Sequence, residues 1–565
     1  MEGKASFNLI DEPWICVRDD TGVAKEVSLL ELFRQAPRLQ CLANDLPTQD
    51  FAILRVLLAI LQRAISPTLD DLDEDVGPAE VWGRLWEASE LPMDAIEAYL
   101  AKWRDRFDLF DPRHPFMQVP DLRTSKDEWL PVAKIIADVP DGDRLFASRS
   151  SYKLDYLTFA EAARWLVHVQ AFDTAGIKSG VVGDPTMKDG KSYPRGTGWA
   201  GSLGGIFIEG DTFRDTLLLN LIVRGDGDNE VFPDDDLPAW EQPLSRYGSL
   251  DKMPTGRADI FTWQSRRARL VVQQGAVVGL VLTNGDKLES KNMHRTEPMT
   301  AWRRSPNQEK KLHQTPIYLP ATHRSNRALW RGLSSLFSED NQDDGPVRGF
   351  IPGVLAWAGF LASANGGRRL SHKNTLQIHG IGFEYGKQSS SIVESIDDAV
   401  LLSSFLLSPE GAPLVALACN CVDNTDKAVS ALGSLATNLL IAAGGDQAGT
   451  TGLNNKAKAE AYFELDSLFR SWLASLGDGS NPADVCTQWN SQARELLNSR
   501  ACGYVVGAGP KAVTGALKKG SRGMSDVWVT AAKAEAWFHA ALKKALPLES
   551  DIERKEDFTD GKLER

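Results

Sequence analysis

The chain has 565 residues, enough for about two to four domains with sizeable buried cores. Its formal net charge of −13 argues against a general polyanion binder. No run approaches the roughly 18 uninterrupted apolar residues of a membrane span, and the N-terminus lacks the apolar segment of a secretory signal. These features, together with six dispersed cysteines that form no CxxC pair, predict a cytoplasmic protein.

Up to about residue 395 the sequence predicts a mixture of helices and strands. The expected elements, in chain order, are a strand at 7–17, helices at 50–65 and 158–172, a strand at 206–209, and a strand or hairpin at 270–282. Between them, residues 173–205 are rich in Gly, Lys, Ser and Pro. So long an irregular segment in a compact domain is typical of a binding loop or of disorder.

After about residue 410 the chain becomes rich in Ala and Leu, with helical runs expected at 412–443, 456–476, 482–502 and 527–546. Apolar stripes and short connections favour an antiparallel four-helix bundle. The sequence therefore predicts an α+β protein, in which a large mixed α/β domain at 1–395 precedes a four-helix bundle at 396–548. Residues 549–565 are predicted to form a frayed, charged tail.

Two basic stretches interrupt this acidic chain. Residues 265–313 contain ten Lys or Arg against four Asp or Glu, and residues 500–525 contain five against none. Local charge of this kind acts only over about 8–10 Å in physiological salt. An acidic body with confined basic stretches suits a subunit that grips nucleic acid at defined places.

Three segments resemble, in the same order, motifs of the large-subunit (CasA) family of the type I-E CRISPR Cascade complex. They are FNLIDEPWICV at 7–17, HPFMQ at 114–118, and TLLLNL at 216–221, which is similar to a strand of that family. The order of domains is also similar, so the resemblance covers essentially the whole chain. Some relatives carry a Cys-rich, zinc-like segment, but no cysteine lies between Cys41 and Cys419 here. We therefore predict no metal and no cofactor.

The resemblance implies a non-catalytic subunit that assembles with other Cascade subunits and CRISPR RNA. Such a subunit recognises the protospacer-adjacent motif of double-stranded DNA from the minor groove, helps to open the duplex, and recruits a helicase–nuclease in antiviral defence. The absence of HExxH, GxSxG and HD motifs agrees with a protein that is not an enzyme. A stand-alone DNA-binding protein and a structural scaffold of a ribonucleoprotein are the alternatives.

In this family a glycine-rich loop approaches the minor groove. The resemblance places that loop at Gly176, Ile177, Lys178, Ser179 and Gly180, with residues 190–201 as an alternative placement. Glycine suits this task because a chain without Cβ can approach a narrow groove closely. An ordinary surface loop is the plain alternative.

The family also uses a lysine finger and a wedge. Counting back from Trp302 gives Lys291 as the finger, with Lys287 second; a mobile ammonium can reach base-edge acceptors. Residues 380–392 are similar to the wedge segment, which places Gln388 at the wedge between Lys387 and Ser389, or Ser389 itself if the register slips by one. An amide can stack into an opened base step. Solvated lysines and a polar turn are the alternatives.

The remaining candidates concern the nucleic-acid backbone. Arg303 and Arg304 are expected to contact DNA phosphates, and Lys511, Lys518, Lys519 and Arg522 to follow the target or displaced strand beside the helical bundle. The resemblance implies that Phe146, Ala147 and Ser148 lie at the 5′ handle of the guide RNA. A core position is the alternative for Phe146.

Overall fold

The computed structural model describes residues 5–70, 76–139, 154–223, 235–244, 252–337, 349–446, 449–519 and 525–548. The chain divides into two compact units. The N-terminal unit comprises Met1–Leu329, Ser335–Leu370 and Leu376–Ala399, and the C-terminal unit comprises Trp330–Ser334, Ser371–Thr375 and Val400–Arg565. Within the ranges described, none of the helices has the length and apolar character needed to cross a lipid bilayer.

The N-terminal part of the chain is mixed α/β. Its helices are α1 (Leu29–Gln35), α2 (Pro47–Asp70), α3 (Pro78–Glu87), α4 (Met93–Lys102), α5 (Phe159–Phe172), α6 (Phe213–Asn220), α7 (Arg257–Phe261), α8 (Pro306–Leu312), α9 (Ser334–Phe337) and α10 (Gly353–Ala362). Its strands are β1 (Ile15–Asp19), β2 (Ala24–Val27), β3 (Leu39–Leu42), β4 (Leu130–Pro131), β5 (Lys178–Ser179), β6 (Lys191–Ser192), β7 (Gly205–Glu209), β8 (Arg266–Gln273), β9 (Ala276–Asn284), β10 (Trp302–Arg304), β11 (Tyr318–Pro320), β12 (Gly349–Phe350), β13 (Thr375–Tyr385) and β14 (Ile392–Ser403).

Helix α2 is the centre of the N-terminal core. Leu54, Leu57 and Leu61 are buried along one face, and the intervening Ile53 and Val56 are buried too, so the helix is enclosed on all sides. Arg55 on this helix is also buried, and its guanidinium forms two hydrogen bonds of 2.9 and 2.7 Å with the Glu297 carboxylate. Glu297 compensates the positive charge of Arg55, which could not be buried without a carboxylate partner.

The strands form short sheets, whereas α2 itself packs against the helices α4, α5, α6 and α7. Strands β8 and β9 form an antiparallel hairpin extended by β4, and β13 lies between β7 and β14 in a three-stranded sheet. The predicted helices at 50–65 and 158–172, the strand at 206–209 and the hairpin at 270–282 are confirmed. Helix α5 begins after Thr158 because the Thr158 hydroxyl accepts from the Glu161 N–H in a capping box.

Two predicted strands are wrong in whole or in part. Residues 7–17 are strand only from Ile15, since the Asn8 side chain accepts the Ile10 N–H at 3.0 Å and folds the preceding segment into a turn. Residues 216–221 lie largely in helix α6, not in a strand. The reason is local: the Thr212 hydroxyl accepts the Asp215 N–H and caps a helix there.

The C-terminal unit is mainly helical, with α11 (Ala412–Ala442), α12 (Thr450–Ser475), α13 (Pro482–Gly507), α14 (Lys511–Thr514) and α15 (Ala531–Ala545). Helix α11 packs against α12, α13 and α15, and the rings of Phe469, Trp472 and Trp489 pack together between α12 and α13. The helix predicted at 527–546 begins only at Ala531. Residues Val527–Val529 instead form a strand, β16, that pairs with β15 (Ala516–Lys518). The tail predicted at 549–565 lies outside the described residues.

His379 links the three strands of the β7–β13–β14 sheet. It lies on β13, with its Nε2 2.5 Å from Glu209 Oε2 on β7 and its Nδ1 3.6 Å from Asp397 Oδ1 on β14. Burial opposes a charged imidazole, but hydrogen bonds to Asp397 and Glu209 and the charges of both carboxylates outweigh it. They raise the pKa of His379 to about 9.

We expect this histidine to make stability depend on pH. A histidine whose folded-state pKa is raised stabilises the fold fully below its unfolded pKa, about 6.5, and that stabilisation is lost as pH rises through about 9. Wild type should therefore lose about 2 kcal/mol more than His379→Gln between pH 6 and 10, allowing for solvent screening at the half-exposed Asp397. Denaturant unfolding at several pH values measures this. Exposed His313→Gln is the control, and parallel pH profiles for wild type and His379→Gln would contradict the prediction.

Candidate nucleic-acid interface

Arg266, the first residue of β8, organises the irregular segment that follows α5. Its side chain is only 2% exposed and its guanidinium is paired with the carboxylate of Asp173, the residue that ends α5. The same guanidinium donates 2.9 Å hydrogen bonds to the carbonyls of Thr174 and Gly196. The buried guanidinium of Arg266 thus fixes the irregular segment at two places, at Thr174 near its beginning and at Gly196 further along the chain.

Lys178 shares Asp173 with Arg266. Its Nζ lies 2.6 Å from Asp173 Oδ2, and its side chain is only 10% exposed. Burial alone would raise the pKa of Asp173, but Arg266 and then Lys178 outweigh it and hold that pKa below its usual range. Burial also lowers the pKa of Lys178, with the charge of Arg266 acting in the same direction. The structure therefore gives Lys178 a role inside the loop, and its ammonium is not presented to solvent.

The other residues of the predicted glycine loop differ in exposure. Gly176 lies in open space, since a Cβ there would meet no atom nearer than 3.9 Å, and the Ile177 side chain beside it is 56% exposed. Ser179 instead pairs with Lys191 in the β5–β6 ladder. A Cβ on Gly180 would lie 2.7 Å from the backbone of Gly190, so Gly180 is needed for close packing of the two strands. Of the five residues of the predicted glycine loop, only Gly176 and Ile177 form an open surface.

The predicted wedge is the tip between β13 and β14. Gln388 and Ser389 have φ of 56° and 53°, so two successive residues other than glycine adopt the left-handed conformation. Such backbone costs on the order of 1 kcal/mol or more per residue and collects at functional sites. Lys387 and Gln388 are exposed, whereas Ser389 is half-buried. The exposed amide at the tip is therefore that of Gln388.

One peptide unit joins the wedge tip to the base of the glycine loop. The N–H of Ala175 donates to the Ser389 carbonyl at 2.8 Å, and the carbonyl of Thr174 accepts from Arg266 at 2.9 Å. These two groups belong to the same peptide bond, between Thr174 and Ala175. The structure therefore brings the segments around Gly176 and Gln388 together.

The two candidate lysines line a cleft together with Arg266. Lys291 Nζ lies 3.1 Å from Glu289 Oε2, and Lys287 Nζ lies 3.8 Å from Glu289 Oε1. The hydrogen bond and the charge of Lys291 lower the pKa of Glu289. Gly196 and Arg266 line the same cleft, so the alternative glycine segment and the lysines face a common space.

The remaining basic residues are in different environments. Arg303 is exposed, but Arg304 forms 2.7 and 3.0 Å hydrogen bonds with the Glu309 carboxylate. Lys511 and Lys519 are exposed, whereas Lys518 donates to Asn438 Oδ1 at 2.8 Å. Four predicted residues lie outside the described part of the chain: Phe146, Ala147, Ser148 and Arg522.

Sequence reasoning missed the residues that organise the site. Arg266 was counted only as part of a basic stretch, together with Arg267, which is likewise buried and pairs with Asp286. An Arg-Arg pair at the start of an apolar strand was the available signal, because a buried arginine requires a carboxylate partner. Nothing local to the sequence identified Asp173 as that partner.

One unit of this mixed α/β chain thus contains a glycine loop hydrogen-bonded to a polar hairpin tip, and a cleft lined by Lys287, Lys291 and Glu289. The family model for CRISPR-associated protein Cse1 matches residues 8–499. Because the match covers most of its length, the chain belongs to the Cse1 family.

Individual relatives agree with this assignment. The CasA/Cse1 protein of Thermus thermophilus is 32% identical over 339 residues, which cover 58% of this chain and 60% of that relative. The alignment thus spans less than two thirds of the relative. The crystal structure of Thermobifida fusca Cse1 is 41% identical, with a TM-score of 0.84 over 96% of this chain and 98% of that one. Cse1 from Acidimicrobium ferrooxidans is 27% identical, with a TM-score of 0.80 over 96% and 99%.

A more distant likeness extends the fold comparison. A chain of a structure described as a CRISPR RNA-guided surveillance complex is 19% identical, with a TM-score of 0.60 over 96% of this chain and 94% of that one. At this identity the two chains share a fold.

Proposed function

We propose that the chain is the non-catalytic large subunit of a type I-E CRISPR RNA-guided surveillance complex, Cascade. In this role it assembles in the cytoplasm with other Cascade subunits and CRISPR RNA. It recognises the protospacer-adjacent motif of double-stranded DNA from the minor groove, helps to open the duplex, and recruits the helicase–nuclease. Helices α11, α12, α13 and α15 act as its four-helix bundle. Membership of the Cse1 family supports this role.

The observation that carries the proposal is that the peptide bond between Thr174 and Ala175 connects the glycine loop to the hairpin tip. Opening a base step costs a few kcal/mol, so the opening element works best where it is fixed directly beside the element that holds the motif. Hydrogen bonds from Ala175 to Ser389 and from Arg266 to Thr174 provide such a fixed geometry. In this arrangement Gly176 allows the backbone to approach the minor groove closely. The side chain of Gln388 is the group that inserts into the opened base step.

Electrostatics support the same assignment. The whole chain carries a formal net charge of −13, so the protein repels DNA except where cations are concentrated. Lys287 and Lys291 line one cleft with Gly196, which belongs to the alternative glycine segment at 190–201, and Arg303 is exposed on β10. A few phosphate contacts position a duplex without reading its sequence, which leaves discrimination to the groove.

The test uses the assembled complex with and without this subunit, on duplexes with a correct or scrambled flanking motif. We expect motif-dependent target binding only when the subunit is present. Equal binding in all four arms would contradict the proposal. Strong duplex binding by the isolated subunit would favour a stand-alone DNA-binding protein instead.

Removing the carboxylate between the two lysines should strengthen DNA binding. In Glu289→Gln, neither Lys287 nor Lys291 retains its ion pair, so both ammonium groups become available to phosphates. We expect the affinity of the complex for target duplex to rise about threefold at low salt, with a steeper salt dependence. Lys291→Ala should have the opposite effect.

Titration of the complex with labelled duplex at two salt concentrations measures this effect. Glu128→Gln makes the same charge change at another exposed site and is the matched control. An equal rise in affinity for both variants would show that only the net charge matters.

A further inference from the structure

The cleft that contains Lys291 is large enough for a small organic ligand. Its volume is about 460 Å³, within the roughly 300–1,000 Å³ of pockets that bind small molecules. Leu288, Leu312 and Leu319 give it apolar walls, and Trp199, only 4% exposed, lines it as well. The Trp199 indole N–H donates to Glu297 at 2.6 Å, so the position of this ring is fixed.

The rim of the cleft has different chemistry. Lys287 and Lys291 line it together with Glu289, whose carboxylate pairs with both, and Ser290 and Gln308 add a hydroxyl and an amide. An apolar wall fits the face of an aromatic base, the amide and hydroxyl fit its polar edge, and the lysines fit a phosphate. This combination matches one unpaired nucleotide.

The position of the cleft suggests where that nucleotide comes from. Arg266 lines the cleft and also holds the Thr174 carbonyl, and the N–H of the same peptide bond holds the wedge tip through Ser389. The cleft is therefore connected to the main chain of the tip through one guanidinium and one peptide unit. A base displaced by Gln388 emerges close to the cleft.

We propose that the cleft binds one extruded nucleotide of the displaced DNA strand, next to the wedge. The inference rests on the proposed function and deepens it. When the duplex opens, bases of the target strand pair again with the guide RNA, whereas bases of the displaced strand lose their partners. Capture of the first such base hinders reclosure of the duplex and favours further opening.

The experiment measures permanganate oxidation of thymines in the displaced strand, using the whole complex with guide RNA and target duplex. Permanganate attacks unstacked thymines, so a base held in the cleft is protected. The test variant is Ser290→Phe, which fills the cleft but changes neither Gly176 nor Gln388. Ser125→Phe, at an exposed turn elsewhere, is the matched control.

In wild type and Ser125→Phe we expect the thymine nearest the wedge to react about tenfold less than those further along the strand, as stacking of one base would provide. In Ser290→Phe it should react like its neighbours, while motif-dependent binding is retained. A nearest thymine that is fully reactive in wild type, or equally protected in Ser290→Phe, would overturn the cleft inference alone. Protection of a thymine in the target strand, and not in the displaced strand, would also overturn the cleft inference. A displaced strand that is unreactive throughout would overturn the proposed function and, with it, this inference.

Discussion

Replacing Arg266 by methionine is expected to lower the free energy of unfolding by about 3–5 kcal/mol, the range seen when one partner of a buried ion pair is removed. The substitution leaves Asp173 with Lys178 as its remaining cationic partner. It also leaves the carbonyls of Thr174 and Gly196 without the donor that they share. Each buried group left unsatisfied adds on the order of 1 kcal/mol or more to the loss.

Denaturant unfolding of the full chain, followed by tryptophan fluorescence, measures this effect. Arg303→Met is the matched control, since Arg303 is exposed and its replacement should change stability by less than about 0.5 kcal/mol. Adding Asp173→Asn to Arg266→Met should lower the stability further, because the double variant leaves the buried Lys178 ammonium without its carboxylate partner. A loss below about 1 kcal/mol in Arg266→Met would mean that Arg266 does not organise the loop.

Replacing Gln388 by alanine is expected to slow motif-dependent opening of the duplex about tenfold. A side chain inserted at the opened step offsets part of the few kcal/mol lost in unstacking, and alanine is too short to do so. A loss of about 1.4 kcal/mol corresponds to tenfold. Initial binding of the duplex should change little, because Lys287 and Lys291 remain. Stopped-flow fluorescence of a base analogue next to the motif separates the two steps.

The chain offers a close control for this substitution. Gln274 is an exposed glutamine at the tip of the β8–β9 hairpin, and its φ of 51° is left-handed, as at Gln388. Gln274→Ala therefore reproduces the chemical change and the backbone conformation at a different place. Opening rates that fall equally in both variants would argue against a wedge at Gln388.

Helical periodicity and turn chemistry predicted the long elements because these depend on local sequence. Helices α2 and α5 and the β8–β9 hairpin fall where their patterns place them. The strand that the family resemblance implied at 216–221 is instead part of helix α6, because Thr212 caps a helix there.

The motifs behind the family resemblance mark the architecture of the fold. Asn220 accepts from the Ile208 N–H and donates to its carbonyl, as a neighbouring strand would. Gln118, in the HPFMQ motif, accepts from Leu270 N–H and donates to the Leu109 carbonyl. Both side chains are buried. These motifs identify the family through polar groups that the core requires, and they are not themselves the site.

The candidate site was harder to predict because its organisation is non-local. Asp173 and Arg266 are 93 residues apart in sequence, and no periodic pattern connects them. The same limitation explains Lys178: its sequence neighbours make it look like a loop lysine, yet the ion pair with Asp173 holds it inside. Gly176 and Gln388 were found only through the resemblance, although their exposure agrees with the roles it implied.

The junction between residues 174 and 175 is made only from main-chain atoms, which has a consequence for how homologous sequences can vary. A carbonyl oxygen and an amide hydrogen are available whatever side chains these positions carry. The coupling of loop and hairpin therefore leaves little trace in a sequence alignment. Proline at position 175 is the exception, since it alone lacks the amide hydrogen that reaches Ser389.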